Sequence, residues 1–350
     1  MEIYRAKNGD LVVREGKGII VYFGGKRRLI STSAFRGGLH EDCTAVFNYD
    51  GTWGTPTWYR MLADTYEEHM RLVAQRLSLD PMQVTGMDTA AQMENMAIAT
   101  RSYRDLTVTA IVTGGVEENG GRVGDKADYY EPDSYQHHHG TINIIVLINA
   151  DVGDATLARA LVTVTEAKVV ALQERLSASC YSNGLATGSG TDQTILVADA
   201  ESPIHFTDAG KHSKLGELLG TTVIEAVKCA LENQTGLNKD KQFSVMRRIG
   251  RFGHTYESVL AESDVQLTDE QKSHLVELDR DRRWVVESSL IAHLCDQYQW
   301  GLLDEDEKNE AIRRILNGLT RDYGLVDCED ETVDTRALIR LMIMLVKKER

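Results

Sequence analysis

The chain has 350 residues, 42% of them hydrophobic, and a formal charge of −14 at pH 7. That length exceeds one comfortable core and suggests a large domain plus an extension. The acidic balance argues against a nucleic-acid binder, whose footprint is basic, and no apolar run reaches the roughly 20 residues of a membrane helix.

Taken in order, residues 11–14, 18–23 and 28–32 are short β-rich runs separated by glycine-bearing turns, a meander pattern. Gly37 and Gly38 mark a tight turn, and Ser33 and Asn48 on either side of it could line a cleft. Residues 57–77 suggest a helix, and residues 87–100 a second helix starting behind Asp88 or Thr89. Residues 106–113 are a β-branched strand. From 116 to 140 follows a long polar loop holding Asn119, Arg122 and Asp125 and ending in His137, His138 and His139. Three consecutive histidines in an extended chain point in alternating directions, so a solvated lid loop is preferred to a metal site.

Residues 142–148, with Asn143 near their start, form a short apolar run too brief to span a bilayer and so a buried strand. Asp151 or Asp154 could cap the helix 155–176, which is apolar on most of its circumference yet carries Thr165, Glu166 and Lys168. Burying both charges would cost several kcal/mol each (roughly) unless they are paired or used. The loop that follows contains Thr187, Gly188, Ser189, Gly190, Thr191 and Asp192, ahead of a strand at 194–198. Alternating glycines let backbone N–H groups face a ligand, although such a loop is by itself also a plain turn.

Residues 208–233 suggest a loop followed by a helix, and His212 and Ser213 stand where that helix should begin. A neutral imidazole at a helix N-terminus is a competent base, and a simple cap is the plain alternative. Residues 269–278, 284–298, 305–319 and 335–348 complete the chain as helices, with acidic runs at two helix starts. The five cysteines are scattered without a CxxC pair, which suggests reduced thiols and a cytoplasmic protein.

The wording of several segments is informative beyond their periodicity. GTINIIVLINA, TEAK, ATGSGTD and HSKLGELLG resemble the adenosylcobinamide amidohydrolase family, whose typical wording is GTINI, TEAK, ATGTGTD and HSKLGEL. GMDTAAQMENMAIA and SAFRGGLHEDCTAVFN are similar to its motifs upstream. The sequence departs from that pattern at TGGVEENGGRVGD, where Gly115 and Gly121 replace the usual alanines, and in the 128–140 insert. The resemblance implies hydrolysis of the amide joining aminopropanol to a corrin-ring propionate, in cobamide salvage, with the corrinoid as substrate and no further cofactor. It extends over about residues 20–235, which divides the chain into a catalytic domain, 1–238, and a helical accessory domain, 239–350, suited to dimerisation or lid support.

Amide hydrolysis needs an activated nucleophile, donors for the oxyanion and a proton for the departing amine. His212 could activate water with Asp192 or Glu166 orienting it. N–H groups of residues 188–191 could hold the oxyanion, and Lys168 could protonate nitrogen. Thr187 or Thr191 are alternative covalent nucleophiles. Glu166 and Lys168 lie about 200° apart on their helix and cannot easily face one atom. Asn119, Arg122, Asp125 and Asn143 would contact substrate. Two rival classes use the same residues: a metallohydrolase with Asp125, Glu166, Asp192 and His212 as ligands, and a corrinoid carrier without hydrolysis. No metal-ligand spacing supports the first, so no metal is expected. The expected architecture is α+β, with one mixed sheet packed on buried helices and a C-terminal helical extension.

Overall fold

The computed structural model describes residues 1–53, 58–127, 129–130, 141–262, 266–325 and 333–348. The chain divides into two compact units, Met1–Tyr181 with Leu185–Asn238, and Ser182–Gly184 with Lys239–Arg350.

The fold is α+β, and its first unit contains two larger sheets where one was expected. Glu2–Arg5, Leu11–Glu15, Gly18–Tyr22, Ala45–Asp50 and Val84–Thr89 form one sheet in that order, antiparallel except for its last pair. The second sheet has the order Ala97–Tyr103, Leu106–Gly114, Ile142–Ile148, Gln193–Asp199, Arg27–Ser31 and Gly38–His40. Its one parallel pair joins Ile142–Ile148 to Gln193–Asp199. Arg27–Ser31 therefore leaves the N-terminal meander for the other sheet.

Alternation of side chains explains the layering. Ile144, Val146 and Ile148 pack with Val164 of the helix Asp154–Glu174 and with Leu219 and Val223 of the helix Lys214–Thr235. Ile145 and Leu147 point the other way and meet Val21, Val46 and Met87 of the first sheet. A strand buried on both faces needs two covers, and the second sheet face finds its cover in the first sheet. The outer face of the first sheet is closed by Met70 and Val73 of the helix Tyr66–Arg76 over Phe47 and Val84. Helix α1 is Tyr66–Arg76, α2 is Asp154–Glu174 and the third, α3, is Lys214–Thr235.

Several elements differ from expectation. The helix proposed at 87–100 is a strand, a 3-10 turn at Met93–Asn95 and another strand, Ala97–Tyr103. Its Ala- and Met-rich composition favours helix, and strand pairing with Leu106–Gly114 overrides it. Residues 58–59 are in a strand, so α1 starts later than proposed. Gly153 is the N-cap of α2, and Asp151 instead binds Arg28 at 3.1 Å and His205 at 2.8 Å.

In the second unit, α4 (Val245–Ile249) and α5 (Tyr256–Glu262) precede the four expected helices. These are α6 (Asp269–Asp279), α7 (Arg282–Gln299), α8 (Glu305–Asp322) and α9 (Thr335–Lys348). Capping boxes at Thr268/Gln271 and Asp304/Glu307 fix two starts, and Asp269, Glu270, Glu305, Asp306 and Glu307 of the acidic runs fall in those first turns. Trp284, Ile291, Ile312, Leu338 and Met342 share its core. No helix among the described residues is long and apolar enough to cross a membrane.

Candidate active site

The glycine loop is shaped by one carboxylate. Asp192 Oδ1 accepts from the Ile142 N–H at 2.8 Å and from Ser189 Oγ at 2.7 Å. Its Oδ2 accepts from the Ser189 N–H at 2.9 Å and from the Lys168 ammonium. Four donors on one mostly buried carboxylate fold the loop back on α2 and neutralise Lys168. Such a saturated group fixes the loop, and the one hydroxyl it already holds, Ser189 Oγ, is the group whose proton it is placed to take.

Gly188 is required by this arrangement. A Cβ there would lie 2.3 Å from Asp192 Oδ2 and 2.7 Å from Lys168 Nζ, closer than atoms pack. At Gly190 the only neighbour of a Cβ is Asn119 Oδ1 at 3.8 Å. Gly188–Ser189 also pairs with Gly120–Gly121 as a two-residue antiparallel ladder, which ties the loop to the TGGVEENGGRVGD segment. Thr187 Oγ1 accepts from the Val123 N–H at 2.9 Å and adds a second tie.

Between these segments lies a cavity of about 540 Å³. Of the residues proposed from sequence, Asn119, Arg122, Asp125, Lys168, Thr187, Gly188, Gly190 and Thr191 line it. Asp192 stands just behind them. Ser189, Lys126, Tyr129 and Tyr181 line it too and were not proposed as site residues. Ser189 had a readable signal: it occupies the position of a threonine in the ATGTGTD wording, so a hydroxyl is kept. Tyr181 donates to Asn119 Oδ1 at 2.8 Å, and Ser179 donates to Asp125 Oδ2 at 2.7 Å. Burial pushes the neighbouring Cys180 thiol above its ordinary range, which keeps it a poor nucleophile.

Behind the cavity a buried polar chain links the motifs. Thr141 Oγ1 donates to the Thr191 carbonyl at 2.7 Å and lies 3.3 Å from Asn143 Oδ1. Asn143 Nδ2 donates to Asn48 Oδ1 at 2.8 Å and to the Asp88 carbonyl at 3.0 Å, and Asn48 donates to Thr113 Oγ1 at 2.8 Å. Asn48 and Asn143 thus lie between the sheets, outside the cavity wall. The network continues to Asp88 Oδ2, which takes Tyr59 Oη and His69 Nε2, each at 2.7 Å. The Leu62 N–H donates to His69 Nδ1 at 3.0 Å, so both imidazole nitrogens are used. Burial, reinforced by Asp88, pushes the Tyr66 phenol well up. Ser33 is likewise buried, donating to the Gly86 carbonyl at 2.6 Å and accepting from the Phe35 N–H at 3.0 Å.

Two proposed catalytic residues lie elsewhere. Glu166 projects to solvent and pairs with Lys211 at 2.9 Å, which holds its carboxyl below the usual range. The helical angle between Glu166 and Lys168 sends the second, not the first, into the cavity. His212 is exposed and precedes the cap: Ser213 Oγ accepts from the Gly216 N–H at 3.0 Å. Replacing His212 by alanine is therefore expected to change kcat/KM by less than about twofold, because the residue is exposed and outside the cavity lining. Steady-state kinetics on that variant checks this, and a loss of several hundredfold would restore His212 as the base.

Asp125, Glu166, Asp192 and His212 do not gather into a ligand set. Among the described residues the one cluster with such donors is His40, Asp42 and Cys43, where Arg36 already binds Asp42 at 2.6 Å. His137, His138 and His139 lie outside the described residues.

The fold and cavity describe an α+β domain whose polar centre is a lysine–aspartate–serine arrangement beneath a glycine loop. The family model for adenosylcobinamide amidohydrolase matches residues 3–239. The chain belongs to the adenosylcobinamide amidohydrolase family. It is 32% identical over 238 residues to uncharacterized protein MJ1613 of Methanocaldococcus jannaschii, covering 64% of this chain and 89% of the relative. An adenosylcobinamide amidohydrolase of Methanosarcina mazei is 30% identical over 174 residues, 47% of this chain and 74% of that protein. Among solved structures, the PH0078 protein of Pyrococcus horikoshii OT3 matches at a TM-score of 0.31 and 12% identity, over 65% of this chain and 82% of that one. That likeness is too low to carry any argument.

Proposed function

We propose that the protein hydrolyses the amide between aminopropanol and the corrin-ring propionate of adenosylcobinamide, giving adenosylcobyric acid in cobamide salvage. Family membership supports the reaction class. The observation that carries the mechanism is the hydrogen-bonded line Ser189 Oγ–Asp192–Lys168 at the cavity wall.

Ser189 Oγ attacks the amide carbon while its proton passes to Asp192 Oδ1. The Gly190 N–H, which has no protein acceptor among the described residues, can receive the developing oxyanion. As the C–N bond breaks, Lys168 gives a proton to the departing amine, and the proton on Asp192 returns to Lys168 across their contact. Water then cleaves the ester and restores the serine. A cavity of about 540 Å³ is of small-ligand scale and takes the amide arm, leaving the macrocycle at the rim near the exposed Tyr129 and Tyr181 rings. None of these steps uses a bound cofactor. A cytoplasmic setting belongs to the same reading, in keeping with the free thiols of Cys43, Cys180, Cys229 and Cys295.

Ser189→Ala should lower kcat by about a thousandfold or more if its oxygen forms the intermediate. Rapid acid quench followed by mass spectrometry should show the corrinoid acyl group on the peptide containing Ser189. Wild-type rates in Ser189→Ala would remove the serine from the mechanism and leave direct water attack.

A further inference from the structure

In a chain of net charge −14, the cavity presents, among the described residues, positive charge without a carboxylate partner and no unpaired negative charge. Its acids are engaged. Asp192 accepts four protein hydrogen bonds, and Asp125 Oδ2 accepts from Ser179 Oγ and, at 2.8 Å, from the Arg122 N–H. Lys168 is neutralised by Asp192. Arg122 and Lys126 remain: both residues line the cavity, both are exposed, and neither has a carboxylate partner among the described residues.

Their placement is built rather than incidental. The Asp125 N–H donates to the Arg122 carbonyl at 2.9 Å, which closes a turn whose reciprocal bond runs from the Arg122 N–H to Asp125. Thr187 and Ser179 anchor that turn to the glycine loop and to the segment after α2. The backbone of this turn thereby sets both residues on the cavity wall to which Gly190 also belongs. A guanidinium, an ammonium and a backbone donor around one space are the groups that bind an oxyanion strongly, because each hydrogen bond is charge-assisted or aimed. A neutral amide arm ending in a hydroxyl has no use for two such charges.

We propose that Arg122 and Lys126 form an oxyanion subsite of this cavity, resting on the amidohydrolase reading for the identity of the anion-bearing molecule. Two sources supply the same chemistry: a phosphate monoester on the amino-alcohol arm, or the propionate carboxylate freed by cleavage. The first makes the subsite a determinant of substrate choice, and the second makes it a source of product inhibition.

Calorimetric titration of the full chain with inorganic phosphate at low ionic strength tests the subsite without turnover. Saturable one-to-one binding is expected, weakened about tenfold or more in the Arg122→Ala/Lys126→Ala double variant and by added salt. Absence of saturable binding, or binding unchanged in the double variant, overturns the proposal. Since both side chains are exposed, unfolding curves of the variant should match wild type and keep the comparison interpretable. Kinetics then separates the sources. A lower KM for the phosphorylated-arm amide than for the unphosphorylated one, lost in the double variant, identifies the arm phosphate. Competitive inhibition by the freed acid, relieved in that variant, identifies the carboxylate. Phosphate binding in a protein that cleaves neither amide would sink the amidohydrolase reading and leave the subsite standing.

Discussion

Lys168→Met is expected to reduce kcat by about a thousandfold or more while leaving the protein folded. The methionine keeps the apolar stem of the side chain and removes only the charged end. Lost general-acid assistance alone accounts for a factor of about 10²–10⁴. The stability cost should fall at or below the lower end of the roughly 3–5 kcal/mol seen when one partner of a buried pair is deleted. The reason is that Asp192 retains three other donors, the Ile142 N–H, the Ser189 N–H and Ser189 Oγ. Chemical denaturation and single-turnover kinetics on the same preparation separate the two effects. A variant that turns over normally would show that Lys168 only neutralises Asp192.

Gly188→Ala should lower kcat by about a hundredfold although it removes no chemical group. The new methyl would overlap both members of the ion pair, so the loop or the pair must move. A displacement of about 1 Å at reacting groups can cost about a hundredfold in rate. Gly190→Ala is the internal control, because its methyl enters open space apart from the 3.8 Å neighbour on Asn119. Comparable activity in the two variants would mean that loop backbone flexibility, and not the fit around Lys168–Asp192, sets the rate. The glycine pair thus resolves into two different requirements, a distinction their shared place in the ATGSGTD wording conceals.

Much of the fold was legible because local pattern and tertiary role agree. The strand Ile142–Ile148, helix α2 and the strand Gln193–Asp199 follow from short apolar runs and a long helical segment between them. The two-sheet layering was not legible, since period-2 alternation says that Ile145 and Leu147 oppose Ile144 and Val146 but not what covers each face. The same gap hid Asn143, which shares the parity of Ile145 and so points between the sheets toward Asn48. Glu166 and Lys168 were separable by helical angle, yet only packing decides which direction is solvent. His212 was ambiguous for a local reason: the phrase that contains it marks a helix start, and the capping there is done by Ser213. The 87–100 segment shows a strong helix composition yielding to strand pairing, of Met87–Thr89 with Asn48–Asp50 and of Ala97–Thr100 with Thr109–Val112.

The most direct measurement is the product of incubating the purified chain with adenosylcobinamide, read by liquid chromatography and mass spectrometry. Stoichiometric appearance of aminopropanol and adenosylcobyric acid is predicted for the wild type, with both products reduced together in Lys168→Met. Bound but uncleaved adenosylcobinamide, or undiminished release by the Lys168 variant, would contradict the account.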